Sequence, residues 1–320
     1  MASVLDTILF ILWLISLPFY CIFLYTIVKY RHKEPFRSPF FTLCLSLGFF
    51  DILTLVNNWV LLKFPILDWF HARDLLRLAP GPFATLFMST SWFTGYGQIL
   101  GIPMITFNRL SILVFPDKDA LWWSPSRTRI YIAAKFLTAA MVAAPLVFLH
   151  FDYPGLGIHA NDTGPFTIRW LNVGWQELYY GASTPFLISL SVTCLICYGI
   201  IFWTVRKHLK QVGIASSSNN NTPSAAMNAD IKLALFGFVL VILLSLWSYY
   251  SYAMSYNTTA SIDNYVWLIV FYSVLFDLIS WCNPYLVLLT SSAVRKHVRM
   301  VVRLEKDTEA VVQAIDLKNT

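Results

Sequence analysis

The sequence predicts an all-α membrane protein, a seven-transmembrane helix bundle with its N-terminus outside the membrane and its C-terminus inside. Three observations lead to this prediction: an apolar composition, seven apolar runs and an uneven distribution of basic residues. Hydrophobic residues make up 57% of the 320 residues and charged residues 12%, whereas soluble domains average about 45–50% and 25%. This composition excludes a secreted disulfide scaffold, a disordered chain and an ordinary cytosolic enzyme.

Seven apolar runs are long enough to cross a membrane, because about 20 apolar residues span the hydrocarbon core. Four of them contain no Asp, Glu, Lys or Arg, and the other three contain one each: Asp51, Lys135 and Asp277. The first run has no basic region before it and is interpreted as a retained signal anchor. The predicted spans are Thr7–Val28, Phe40–Leu62, Phe83–Phe107, Ile130–Phe151, Ala182–Val205, Leu233–Tyr256 and Tyr265–Thr290.

The basic residues indicate the orientation. Of 23 Lys and Arg, 18 lie in segments 29–39, 109–129, 206–232 and 291–320, and 4 lie in the alternate segments. Since short cytoplasmic loops are enriched in Lys and Arg, we expect a transmembrane domain over 1–290 and a cytoplasmic tail over 291–320. The net charge of +6 then reflects topology and affinity for membrane lipid, with no nucleic acid as partner. The sequons at Asn161 and Asn257 fall in predicted external segments and are candidate glycosylation sites.

The tail and the cysteines support two further expectations. Residues 291–304 place valines at helical spacing among Arg and Lys, which predicts a basic amphipathic helix on the inner membrane surface. All five cysteines fall inside the predicted spans and no histidines pair at metal-ligand spacing. We therefore expect no structural disulfide, no metal site and no other cofactor.

Ionisable residues inside the membrane are functional candidates because burying them is costly. Asp51 and Asp277 each lie about halfway along a run, so they are expected at one depth. On neighbouring helices the two carboxylates could share a proton or bind a cation, with Asn283 joining Asp51. The alternative is that each Asp separately hydrogen-bonds to a neighbouring helix. Lys135 lies near the inner end of its run and is expected to extend its ammonium to the headgroups.

Aromatic residues are concentrated in the outer halves of the third, sixth and seventh runs. About half of them are expected to belong to the interfacial belt of membrane proteins. The others could line an apolar pocket between helices, where small-molecule sites of bundles occur. The candidates for such a ligand pocket are Trp92, Tyr96, Trp247, Tyr250 and Tyr272.

Three motifs resemble rhodopsin-like G-protein-coupled receptors. The stretch 45–51, which ends in Asp51, resembles their helix-two pattern; Asn108-Arg109 resembles the position of their arginine switch; and Asn283-Pro284-Tyr285 resembles the start of their helix-seven motif. The chain departs from that pattern in three respects. Asn108 stands where an acid is usual, no proline follows Trp247, and no cysteine is available to join the third helix to the second outer loop.

Those departures resemble the nematode serpentine chemoreceptors of class gamma and their close relatives, through Asn108-Arg109-Leu110-Ser111, Phe115-Pro116 and Trp122. The resemblance implies a receptor without enzymatic activity, in the plasma membrane of a sensory-neuron cilium. It would detect an external small molecule, an odorant or pheromone-like ligand, and activate a heterotrimeric G protein. The resemblance implies a G-protein switch at Asn108 and Arg109 and a polar core of Asp51 and Asn283. We expect the basic residues Arg206 and Lys207 to belong to the switch as well. Asp277 has no counterpart in the general pattern, and we expect it to contact ligand.

A ligand-gated channel or small-solute transporter is the main alternative. Many transporters contain internal repeats, but here the first three runs and the last three do not resemble each other. A retinal protein is disfavoured because the seventh run has no lysine for a Schiff base. An intramembrane aspartyl enzyme is disfavoured because the residues flanking Asp51 and Asp277 carry no supporting motif.

Overall fold

The computed structural model describes residues 4–67, 69–152, 168–216, 225–256 and 262–302. Within them, seven helices are long and apolar enough to cross a membrane, which confirms the predicted seven-helix fold. The candidate glycosylation sites Asn161 and Asn257 lie outside the described residues. The long helices are α1 Val4–Tyr30, α2 Pro39–Asn58, α3 Pro80–Val114, α4 Pro125–Ala143, α5 Val173–Ser216, α6 Ala225–Tyr256 and α7 Ile262–Thr290.

Several helices start before the apolar runs do, because polar caps and prolines set their first turns. Pro39 and Pro125 occupy the first turns of α2 and α4, where a missing N–H removes no intrahelical bond. The serine before each proline caps the helix: the Ser38 hydroxyl accepts from the N–H of Phe40 and the Ser124 hydroxyl from that of Arg127. Such caps satisfy the otherwise unpaired N–H groups of a helix start.

α2 continues beyond its α-helical part. A π-helical turn covers Trp59–Lys63 and a short α-helix follows over Phe64–Leu67. The span predicted from the sequence ends at Leu62, whereas the helix continues to Leu67 and brings Lys63 into the bundle. A 3₁₀ turn, Trp69–His71, and a helix over Ala72–Leu78 then lead to α3.

The remaining described segments connect the helices. A helix over Pro116–Trp122 joins α3 to α4, and α4 passes into a 3₁₀ turn over Ala144–Phe148. Strands β1 (Phe151–Asp152) and β2 (Arg169–Trp170) pair antiparallel. β1 packs on α3 and β2 on α5, so this two-stranded ribbon lies over one end of the bundle.

α3 is the central helix and packs against α2, α4, α5 and α6, while α7 packs against α2 and α6. The bundle has two ends: the amino-terminal end, where α1 begins, and the carboxyl-terminal end, where α7 finishes. The ribbon lies at the amino-terminal end. The turns before α2, before α4 and after α7 lie at the carboxyl-terminal end.

The helix after α7, α8, covers residues 292–302. Val294 and Val298 are buried in the hydrophobic core of the bundle. The His297 ring lies between the rings of Tyr30 and Phe36, with centroids 4.6 and 5.0 Å away. The apolar face of α8 therefore packs on protein, because aromatic side chains at the end of α1 and in the following turn cover this face. The sequence had predicted that the same face lies on the inner membrane surface.

Gly97 allows α2 and α3 to approach closely, since a Cβ at this position would overlap the Phe50 ring. Gly97→Ala is expected to destabilise the folded protein by about 1–3 kcal/mol, because a methyl group forced into a packed interface displaces its neighbours. Gly199→Ala on α5 is the matched control, since a Cβ there meets nothing within 4 Å. Thermal unfolding of the detergent-purified chain measures both. Equal melting temperatures would show that Phe50 moves aside at no cost.

Candidate functional site

A buried polar network surrounds Asp51, whose side chain is 1% exposed. Its carboxylate accepts hydrogen bonds from the hydroxyl of Tyr20 and from the amides of Gln98 (2.7 Å) and Asn283 (3.3 Å). Gln98 also donates to Ser280 at 2.9 Å. The network therefore joins α1, α2, α3 and α7 at one point. The sequence motifs identified Asp51 and Asn283 but not Tyr20 or Gln98, although Gln98 is an isolated amide near the middle of a charge-free run.

Asp277 belongs to a second network nearer the amino-terminal end. Its carboxylate forms an ion pair with Lys63 and accepts a hydrogen bond of 2.9 Å from Asn58. Asn58 lies seven residues beyond Asp51 on α2, which is about 10 Å along the helix at 1.5 Å per residue. The prediction that the two aspartates share a depth and one proton or cation site is therefore wrong.

The π turn brings Lys63 to Asp277. In an α-helix two residues five apart point about 140° away from each other, at 100° per residue. A π turn bonds residue i to i+5, so Lys63 follows Asn58 on nearly the same face. The Lys63 ammonium also lies 4.3 Å from the Trp59 ring centroid. A uniform α-helical period places Lys63 on a different face from Asn58, so it does not predict this pair.

Lys135 points into the bundle. Its side chain is buried, its ammonium donates to the Ser46 hydroxyl at 2.8 Å, and it lies 4.8 Å from the Phe50 ring centroid. The expectation that Lys135 extends to the headgroups is therefore wrong. A hydroxyl and an aromatic face on α2 provide the ammonium with partners inside the protein.

A cavity lies between α3, α5, α6 and α7 in the amino-terminal half of the bundle. It encloses about 730 Å³ including its open mouth. Ile168 and Trp170 of the ribbon region contribute to its wall. All five aromatic residues suggested from sequence line this one cavity: Trp92, Tyr96, Trp247, Tyr250 and Tyr272.

The cavity has aromatic walls on two sides. Trp92 and Tyr96 are stacked on α3, with ring centroids 5.8 Å apart and planes 20° apart. On the other side, Tyr272 lies 5.1 Å from Tyr250 and 4.1 Å from Phe276 between ring centroids. Tyr249 and Tyr252 on α6 are 63% and 48% exposed, so the aromatic residues of one helix divide between the cavity and its outer surface.

Trp247 and Phe276 meet below these walls, with ring centroids 4.2 Å apart. Trp247 packs closely on α3 because residue 95 is glycine: a Cβ there would lie 3.1 Å from the indole ring. Asp277, the residue after Phe276, does not line the cavity, since its carboxylate is bound by Lys63 and Asn58. The expectation that Asp277 contacts ligand is therefore wrong.

The carboxyl-terminal end of α3 carries Asn108 and Arg109. Asn108 is fully buried, whereas Arg109 is partly exposed and its guanidinium carbon lies 3.7 Å from the ring centroid of Phe40 on α2. The turn that follows is held by Ser111, whose hydroxyl donates to Asp119 (3.0 Å) and accepts from the Trp123 indole (2.7 Å).

Arg206 and Lys207 lie on α5 at the same end of the bundle, and both side chains are exposed. The Lys207 ammonium lies 5.7 Å from the Trp203 ring centroid. The four residues of the predicted G-protein switch therefore share one end of the bundle, opposite the cavity. Among the described residues no cluster of His, Cys, Asp and Glu is arranged to hold a metal ion.

Comparison with known proteins identifies the family. The family model described as "Serpentine type 7TM GPCR chemoreceptor Srv" matches residues 9–304, nearly the whole chain. The chain belongs to the Srv family of serpentine chemoreceptors. This membership makes it a multi-pass membrane protein of a receptor family, and nothing in the comparisons favours a channel or transporter. The motifs had indicated class gamma or a close relative, whereas the matching family is class V; motifs of two to four residues are too short to separate the classes.

Individual proteins that resemble this chain are also receptors by name. Serpentine receptor class V-1 of Caenorhabditis elegans is 26% identical over 209 residues, which cover 61% of this chain and 62% of that receptor. Somatostatin receptor type 2 of Mus musculus is 21% identical over 241 residues, or 74% of this chain and 61% of that receptor. The chain thus spans about three fifths of the length of these curated relatives.

Proposed function

We propose that this Srv-family chain is a chemosensory G-protein-coupled receptor whose ligand is an external small molecule. The observation that carries the proposal is the cavity of about 730 Å³ at the amino-terminal end of the bundle, opposite the basic residues of the predicted switch. A ligand site at one end and a partner site at the other is the arrangement that signalling across a membrane requires. The amino-terminal end is then external, in agreement with the distribution of Lys and Arg.

The mechanism is a shift between two states of the bundle. A ligand favours a state only through its higher affinity for that state. The cavity is bounded by helices that continue to the opposite end: α3 carries Arg109 and α5 carries Arg206 and Lys207. A ligand that repacks Trp247 and Phe276 would change how α6 and α7 lie on α3 and so expose Arg109 to a heterotrimeric G protein.

We also propose where the receptor lies, which class of ligand it takes and where it is glycosylated. The receptor would lie in the plasma membrane of a sensory-neuron cilium and take an odorant or pheromone-like ligand, as the description of its family as chemoreceptors suggests. Asn161 and Asn257 would carry glycans on the outer side. Lys296 and Arg299 of α8, whose side chains are exposed, would face the anionic inner leaflet.

The test is G-protein activation in cells that express the full chain and receive a library of small molecules. Ser251 lines the cavity and Ser189 is exposed on α5, so Ser251→Phe and Ser189→Phe make the same change inside and outside the site. At matched surface levels, wild type and Ser189→Phe are expected to respond to an active compound. Ser251→Phe is expected to need at least about tenfold more, since the added ring occupies the ligand's space.

Two results would contradict the proposal. One is equal sensitivity of Ser251→Phe and Ser189→Phe to every active compound, which would remove the cavity from the mechanism. The other is ion current through the wild-type protein without G-protein activation, which would favour the channel alternative.

A further inference from the structure

We infer that the cavity selects uncharged, planar ligands that carry a hydrogen-bond acceptor such as a carbonyl, an ether or a ring nitrogen. This inference rests on the proposed receptor function and names the ligand class of the same site. It follows from the charge, the shape and the hydroxyl groups of the wall.

The described lining of the cavity carries no charged side chain. The 19 described residues that line the cavity include no Asp, Glu, Lys, Arg or His. Three charged residues adjoin lining residues in sequence: Arg169 follows Ile168, and Lys63 and Asp277 follow Leu62 and Phe276 and form an ion pair with each other. A charged ligand would therefore lose its hydration without gaining a counter-charge from these 19 residues, and an unpaired charge in such surroundings is strongly unfavourable.

Flat aromatic side chains form two sides of the cavity. The stacked pair Trp92–Tyr96 forms one side of the cavity, and Tyr250 and Tyr272 form another. Aromatic side chains bind flat molecules through offset or edge-to-face contacts, each worth about 0.5–1.5 kcal/mol beyond the buried area. A planar ring fits between such walls better than a branched aliphatic molecule does.

Serine and tyrosine hydroxyl groups also line the cavity. Ser91 on α3 lines the cavity, and its hydroxyl oxygen accepts from the Asn57 amide at 2.8 Å. Because a hydroxyl is donor and acceptor at once, Ser91 also pairs with the hydroxyl of Tyr272, which interacts with it and lines the same cavity. Ser183 differs, since its hydroxyl donates to the Tyr179 carbonyl at 2.6 Å. The paired hydroxyls of Ser91 and Tyr272 therefore keep one proton that a ligand acceptor would meet.

The test measures binding directly, without signalling. The full chain is purified in lipid nanodiscs and its melting temperature is followed with probes of matched shape. They are benzene and naphthalene rings that carry an aldehyde, no substituent, an aminomethyl group or a carboxylate. A ligand that binds only the folded state raises the melting temperature by an amount that grows with the logarithm of its concentration relative to its Kd.

We expect the aldehydes to stabilise the protein at concentrations at least about 100-fold below those at which the ammonium and carboxylate probes act, because only the charged probes must lose their hydration unpaired. Ser91→Ala is expected to weaken aldehyde binding about tenfold, through loss of one hydrogen bond to a buried group, and to leave the hydrocarbon probes unaffected. Ser89→Ala, a change on the same helix outside the cavity lining, is the matched control. Ser251→Phe, which fills the cavity, is expected to remove the aldehyde shift.

Three outcomes would overturn the inference: a charged probe that binds as tightly as its aldehyde, an aldehyde shift that persists in Ser251→Phe, or no shift with any aldehyde up to about 1 mM, the weak limit of specific binding. The receptor function fails separately. Aldehyde binding without G-protein activation would retain the ligand class and count against the receptor, whereas activation by charged compounds alone would support the receptor and reject the class.

Discussion

Asp277→Ala is expected to lower the stability of the receptor by about 3–5 kcal/mol, the cost of leaving one member of a buried ion pair without its partner. Lys63 is 8% exposed as a residue and its ammonium lies beside Trp59 and Asp277. Without the carboxylate, its ammonium would keep only the Trp59 ring among these partners. The expected result is a large loss of folded protein at the cell surface and a lower melting temperature after purification.

A double variant separates the loss of a charge from the loss of a contact. In Lys63→Met with Asp277→Leu, two apolar side chains replace the pair, and such replacements of buried ion pairs are often neutral or stabilising. Asn58 still donates to the Ser273 carbonyl at 3.2 Å, so its amide is not left unpaired. The double variant should therefore approach the wild-type melting temperature. A double variant as unstable as Asp277→Ala would mean that the shape of the pair, and not its charge, holds α2 against α7.

The sequence predicted the seven helices well because hydropathy depends on composition over about 20 residues and is insensitive to local geometry. It also identified Asp51 and Asn283, since a motif marks both, and the structure places them 3.3 Å apart. The five cavity aromatics followed from their position in the outer halves of the helices. Their separation from Tyr249 and Tyr252 required the rotation of each helix, which one sequence does not contain.

The errors have two physical causes. A uniform α-helical period fails at the π turn over Trp59–Lys63, which changes the face of Lys63 and gives Asp277 a partner other than Asp51. The second cause is that a long polar side chain chooses between solvent and protein by the partners within its reach. Lys135 turns inward because Ser46 and Phe50 lie on the facing helix, and neither is near it in sequence.

Arg109→Ala is expected to abolish G-protein activation while surface expression stays near the wild-type level. Arg109 is partly exposed at the end of α3, so its removal opens no large cavity in the core. Its guanidinium lies over the Phe40 ring at 3.7 Å, a contact worth about 0.5–1 kcal/mol at an exposed site. In the proposed mechanism this contact holds Arg109 in the inactive position and is given up when the G protein binds.

Phe40→Leu tests the same contact from the other side. Leucine keeps an apolar side chain at the start of α2 but offers no π face to the guanidinium, so the inactive state loses about 0.5–1 kcal/mol. Ligand-independent activation should then rise about two- to fivefold at matched surface levels, the opposite direction to Arg109→Ala. Opposite effects of two neighbouring residues are difficult to explain by misfolding, which lowers activity in both. Loss of surface expression in Arg109→Ala, together with unchanged basal activity in Phe40→Leu, would instead make Arg109 a structural residue that ties α3 to α2.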